Sequence, residues 1–134
     1  MTPTGVRALF EKYDILPTPQ RLEIAHILLE KPQHLSAEHI IEKLKVADSA
    51  VSKATVYNTL NLFSECGLIK EIMVDPVRKF YDSTTHPHHH FYNVDSGELS
   101  DIPGDSVLFE KLPELPEGTQ RSSVEVLIRV RDQG

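Results

Sequence analysis

The sequence holds one cysteine, Cys66, among its 134 residues. A single thiol excludes an intramolecular disulfide and any all-thiolate zinc site. No apolar stretch approaches the roughly 20 residues that a membrane-spanning helix needs, and no charged-then-apolar leader opens the chain. A glycine-rich phosphate loop, a Ser/His/Asp order, an internal repeat and a low-complexity segment are also missing. These absences point to a soluble, cytoplasmic protein that is not an enzyme and has no membrane partner. Metal-assisted hydrolysis stands as the competing class, because a His/Asp site with an open coordination position and a general base could perform it.

Positive charge is also scarce: the formal net charge is −6. Acidity of that size argues against nucleic acid until the chain is divided after Asp82. Residues 1–82 carry ten Lys/Arg against eleven Asp/Glu, and residues 83–134 carry four against nine. The first part is neutral enough to present a local basic surface, which governs phosphate binding more than the total does. The acidic remainder holds most of the histidines, where carboxylates can serve a cation.

Val6, Leu9, Phe10 and Tyr13 recur at helical spacing and predict a short amphipathic helix that ends before Leu16-Pro17. Thr18 then caps a second helix with Pro19 at its first position, where a missing N–H costs nothing. Ser36 caps a third helix that buries Ile40, Ile41 and Leu44. Ser52 caps a fourth, running to about Glu65 and closed by Gly67. In that fourth helix Val56, Leu60 and Phe63 form the inward stripe, and Lys53, Ala54, Tyr57, Asn58 and Asn61 face outward with hardly any acid. Strands at about Ile69–Val74 and Lys79–Asp82 pair as a hairpin through Asp75-Pro76-Val77-Arg78. Helices followed by a hairpin match a winged helix-turn-helix, with residues 53–64 entering the major groove.

Beyond Thr85 the pattern predicts strands at His88–Val94, Glu98–Ile102 and Ser123–Arg131 and a short helix at Asp105–Lys111. Three strands and one helix make too small a core to stand alone, so the expected role is dimerisation. The fold class is therefore α+β: a winged helix-turn-helix over residues 1–83 and a small α/β dimerisation and metal-sensing lobe over residues 84–134.

Four of the seven histidines fall within Asp82-Ser-Thr-Thr-His86-Pro-His88-His89-His90. On an extended strand His88 and His90 share one face and His89 takes the other. With Asp82 upstream and Asp101 downstream, they form a nitrogen/oxygen set suited to a divalent transition metal. A solvated histidine-rich loop is also compatible with this segment taken alone.

Five stretches, in this order and at these separations, resemble the ferric uptake regulator family over nearly the whole chain. They are Leu16-Pro-Thr-Pro-Gln-Arg21, His34-Leu-Ser-Ala-Glu-His-Ile40, Ser52-Lys-Ala-Thr-Val-Tyr-Asn-Thr-Leu60, Gly67-Leu-Ile69, and the histidine run followed by Asp95-Ser-Gly97. The resemblance implies a homodimeric, metal-dependent transcription regulator, usually a repressor, that binds AT-rich palindromic double-stranded DNA operators. It puts the regulatory metal site on His34, Asp82, His88, His90 and Asp101. Two carboxylates and three imidazoles suit Fe(II) or Mn(II), and Zn(II) also binds such a set. A cation held by all five residues would pin the two lobes in one arrangement.

Asp82 standing eight residues before His90, and Asp101 in place of Glu, resemble the peroxide-sensing branch; there, histidines that ligate Fe(II) are oxidised, which makes His34 and His88 the candidate targets. Asn93 and Ser96 stand where many relatives carry the first cysteine pair of a structural zinc site, so no structural zinc held by four cysteines is expected. That departure, the run His88-His-His-Phe-Tyr92 and the ending Val126-Leu-Ile-Arg-Val-Arg131 resemble the haem-responsive iron response regulators. On this alternative haem would involve His88, His89 and His90, although the Cys-Pro motif of some members is missing.

On the reading helix Tyr57 is expected to meet thymine methyls and a phosphate, with Lys53 and Thr55 on the backbone and Asn58 and Asn61 beside them. Arg21 and Lys79 are candidate phosphate contacts. Cys66 reads as a buried small hydrophobe, and His26 and His39 read as ordinary helical residues. His86 and His89 could begin a second metal site, but Pro87 occupies the usual neighbouring ligand position, so a complete second site is not expected. A metal store or chaperone would need the histidines but no groove-reading helix.

Overall fold

The computed structural model describes residues 2–86 and 88–134, and the chain divides into two compact units, Met1–Thr85 and His86–Gly134. The expectation attached to Pro87 lies outside the described residues.

In the first unit α1 spans Pro3–Lys12, one turn earlier than its apolar spacing indicates, because the Thr2 hydroxyl caps it by accepting from the Gly5 N–H at 3.1 Å. The helices α2 (Pro19–Leu28), α3 (Ala37–Val46) and α4 (Lys53–Cys66) start behind Thr18, Ser36 and Ser52, whose hydroxyls accept from Arg21, His39 and Thr55. Each cap satisfies one of the donors that a helix start leaves without an intrahelical partner. At the start of α3 the exchange is reciprocal, since His39 Nδ1 accepts from the Ser36 N–H. His39 thus has a definite task at the helix start. α4 ends on Gly67 at φ +84°, a left-handed turn that glycine adopts without steric cost.

Val6, Phe10, Ile24, Leu28, Ile40, Leu44, Val56, Leu60 and Phe63 interlock as one core. Phe10 and Phe63 meet edge to face at 5.6 Å. Cys66 lies half-buried against this core. The wing strands β2 (Lys70–Met73) and β3 (Lys79–Asp82) pair antiparallel, and a two-residue strand β1 (His34–Leu35) adds to the other side of β3. The order β1-β3-β2 sets His34 directly opposite Asp82. Four helices and this hairpin form the winged helix-turn-helix.

In the second unit β4 (His90–Asn93) pairs antiparallel with β5 (Leu99–Asp101) and parallel with β6 (Leu127–Val130), in the order β5-β4-β6. All three strands are shorter than their sequence patterns, although hydrogen bonds such as Ile102 N–H to the His89 carbonyl and Val94 N–H to the Val130 carbonyl continue the pairing past both ends of β4. The helix expected at Asp105–Lys111 does not form. Pro103 and Ser106 close a turn there, and Leu108 stays 86% exposed. A short segment without a buried face cannot offset the cost of helix nucleation. Phe109 and the His89 ring meet in a T-shaped contact with centroids 5.8 Å apart.

A polar clasp joins the β4–β5 turn to the chain beyond β6. Asn93 Oδ1 accepts from the Asp95 and Ser96 N–H groups, and Asn93 Nδ2 donates to Asp132 Oδ1 at 2.9 Å. The Asp132 N–H returns a bond to Asp95 Oδ2. Asn93 and Ser96 therefore serve hydrogen bonding at positions where the sequence offers no thiol pair.

Candidate metal centre and reading face

In the first unit β1–β3 pairing brings His34 Nε2 within 3.2 Å of Asp82 Oδ2. The Asp82 carboxylate is 2% exposed, and its other oxygen accepts from the Thr84 N–H at 2.8 Å. A buried carboxylate oriented in this way is a strong, directed oxygen ligand.

In the second unit two imidazoles converge on one carboxylate oxygen. His88 Nε2 lies 3.2 Å and His90 Nε2 3.4 Å from Asp101 Oδ1. One donor atom from each of the three residues lies within 4.8 Å of the others. The β4–β5 register causes this by setting His90 opposite Asp101, while His88 approaches from the segment just before β4. His88 Nδ1 sits 2.8 Å from the His86 carbonyl oxygen, to which only a protonated nitrogen can donate. With Nδ1 directed at that carbonyl, Nε2 is the ring nitrogen turned toward Asp101 Oδ1. Imidazole nitrogen and carboxylate oxygen are donor types that divalent transition metals accept; the first unit offers one of each, and the second offers two imidazoles and one carboxylate.

His89 is engaged differently. Its Nδ1 accepts from the Val126 N–H at 2.9 Å, anchoring the approach to β6. His86 gives its carbonyl to His88, and the two rings stand 5.4 Å apart.

A match to the Ferric uptake regulator family covers residues 13–127. The chain belongs to this family. The peroxide-responsive repressor PerR of Staphylococcus epidermidis is 31% identical over 95 residues, which are 71% of this chain and 63% of that protein. The match thus spans less than two thirds of that relative's length. The ferric uptake regulator from Pseudomonas aeruginosa with manganese superposes with a TM-score of 0.71 at 23% identity, over 96% of this chain and 98% of the other. PerR from Streptococcus pyogenes superposes with a TM-score of 0.51 at 25% identity, over 74% of this chain and 68% of the other.

The outward face of α4 in this family member carries Lys53, Tyr57, Asn58 and Asn61 in the open. Thr55 uses its hydroxyl locally, 2.9 Å from Ser52 Oγ in the cap. A groove of about 290 Å³ between α2 and α4 brings Arg21, Thr55 and Asn58 together with Thr18 and Gln20. Asn61 lies apart from that groove and lines a separate hollow with Ser64, Glu65 and Lys70. The Arg21 guanidinium donates to the Leu16 carbonyl oxygen at 2.9 Å, and Lys79 pairs with Glu71 at 3.6 Å on the wing.

Two residues that sequence reasoning passed over stand beside this face. Glu38 accepts the Tyr57 phenol O–H at 3.2 Å, and Tyr81 lies buried on β3. Burial and then the Glu38 hydrogen bond push the Tyr57 phenol up, while burial, followed by the Glu71 charge, pushes Tyr81 to about 12. No periodic pattern marks Glu38, which lies nineteen residues before Tyr57.

Proposed function

We propose that this family member is a metal-dependent, homodimeric repressor that binds AT-rich palindromic operators and senses peroxide through bound Fe(II). The convergence of His88 and His90 on Asp101 Oδ1 carries the reading. His34 and Asp82 supply the complementary donors from the winged-helix unit. One cation shared by all five residues couples residues 1–83 to residues 84–134 and selects the arrangement in which two recognition helices meet successive major grooves. A differential affinity of about 3 kcal/mol is enough to shift operator occupancy roughly 150-fold.

Within the DNA-reading unit Tyr57 meets base edges and Lys53, Arg21 and Lys79 meet phosphates, with Thr55, Asn58 and Asn61 lining the same approach. The second unit supplies the dimer contact, because a three-stranded sheet of this size needs cover. Fe(II) or Mn(II) fits the donor set, and Zn(II) competes. His34 and His88 would help hold Fe(II), which would supply one-electron reduction of hydrogen peroxide to hydroxide and a hydroxyl radical; their ring carbons would be the nearest groups for that radical to oxidise, and an altered ring would no longer hold its nitrogen where the site needs it. The similarity to the peroxide-responsive repressor PerR of S. epidermidis supports peroxide as the signal.

The test is operator binding with and without Mn(II), on duplexes recovered from a random pool by the Mn(II)-loaded protein. Mn(II) is expected to strengthen binding at least tenfold, and His88→Ala is expected to abolish that gain without unfolding either unit. Metal-dependent binding that survives His88→Ala overturns the assigned site. Growth in aerobic iron medium should add oxygen to peptides containing His34 or His88, as read by mass spectrometry. Unmodified peptides together with a haem absorption band would instead favour the haem-responsive iron regulator, with His88, His89 and His90 at the haem.

A further inference from the structure

The reading helix carries one large ring in the open, Tyr57, which is 42% exposed. Its phenol is not left to solvent: it donates to Glu38 Oε1 at 3.2 Å. Glu38 belongs to the first turn of α3, so the contact ties two successive helices of the DNA-reading unit. The two wing and helix acids near this point differ. Glu71 is matched by Lys79 at 3.6 Å, whereas no cation pairs with Glu38 among the described residues. An uncompensated carboxylate beside a surface built to approach phosphates lowers affinity for every duplex alike. Its presence there calls for a benefit other than affinity.

We infer that Glu38 is a positioning residue for the reading helix: by accepting the Tyr57 O–H it holds the ring in one orientation and so sets discrimination between base sequences. A free tyrosine on an exposed helix samples several rotamers, and each would meet base edges differently. A ring held by a charge-assisted hydrogen bond presents one edge and one ring face to the groove. The carboxylate opposes phosphates on operator and random duplex equally, so it depresses both affinities without changing their ratio. Only the hydrogen bond changes the ratio. The inference rests on the DNA-binding reading above.

The experiment measures the ratio of affinities for the duplex selected by the Mn(II)-loaded full-length protein and for its scrambled permutation. Five proteins are compared: the parent, Glu38→Ala, Glu38→Gln, Tyr57→Phe and the double variant Glu38→Ala/Tyr57→Phe. Glu38→Ala should reduce the ratio about tenfold, the size expected for a hydrogen bond to a charged group. Glu38→Gln keeps an acceptor oxygen and should hold the ratio within about twofold while raising both affinities, because a charge facing phosphates is gone. In a Tyr57→Phe background, Glu38→Ala should change the ratio no further. A parental ratio in Glu38→Ala, or a loss that persists in the Tyr57→Phe background, overturns the inference while leaving DNA binding intact. A parent protein that selects no sequence from the pool overturns both readings together.

Discussion

In Met1–Thr85 the buried apolar side chains of four helices, with Leu68, Ile69 and Tyr81 from the wing region, close into one continuous cluster. In His86–Gly134 the buried apolar side chains among the described residues are Tyr92, Leu99 and Ile102. The first unit is therefore held by side-chain packing, which is non-directional and tolerates small shifts. The second is held by strand pairing, the Asn93 clasp and the His89–Val126 contact, all of them directional. Directional bonds place histidines and carboxylates at set distances, but they leave a small sheet with little hydrophobic reserve. The lesson is a division of labour: a robust apolar body carries α4 together with His34 and Asp82, and a lightly stabilised sheet carries His88, His90 and Asp101.

The sharpest way to break that contrast is a cavity in the first core. Phe63→Ala should cost about 3–5 kcal/mol in denaturant unfolding, since Phe63 is fully buried and faces Phe10. A loss below about 1 kcal/mol would mean that packing is not what holds the first unit.

Next in size is an alkaline effect confined to the first unit. The Tyr81 phenol sits at about 12 against an ordinary value of 10.0. Its folded-state value is raised, so its contribution is complete below pH 10.0 and is lost as pH climbs toward 12. Tyr81 should add to the fall in stability across that window with a slope of at most about 1.4 kcal/mol per pH unit, and Tyr81→Phe should remove that share, leaving what Tyr57 contributes. An unchanged slope in Tyr81→Phe would assign it elsewhere.

The second unit is best probed through its clasp. Asn93→Ala removes one donor and one acceptor and should cost about 1–2 kcal/mol, seen as faster amide exchange in β6. A chelator should leave that exchange rate as it was. If it accelerates β6 exchange as strongly as Asn93→Ala does, a metal supports the sheet and the clasp does not. The smallest effect belongs to Gly67→Ala: forcing a side chain into φ +84° should cost about 1 kcal/mol, with α4 fraying at its end in exchange data.

The caps and stripes of the helical unit were legible because they are local. Thr18, Ser36 and Ser52 precede apolar residues at helical spacing, and Gly67 ends the run. The nearness of His88 to His90 was expected from alternation along one strand, but β4 begins only at His90, and His88 reaches Asp101 from the segment before it. The helix expected at Asp105–Lys111 failed because its apolar residues had no surface to bury against, and propensity in a short segment yields to that lack. The strand β1 was invisible because two residues carry no period.

The amino-acid order by itself determined the capped helices, the hairpin and the kinds of donor atom, because each follows from contacts within a few residues. Tertiary structure alone decided that His34 faces Asp82, that Asp101 receives both His88 and His90, and that Glu38 reaches Tyr57. Strand register and helix packing are set by burying whole faces at once, and no local pattern encodes which distant side chains that burial brings together.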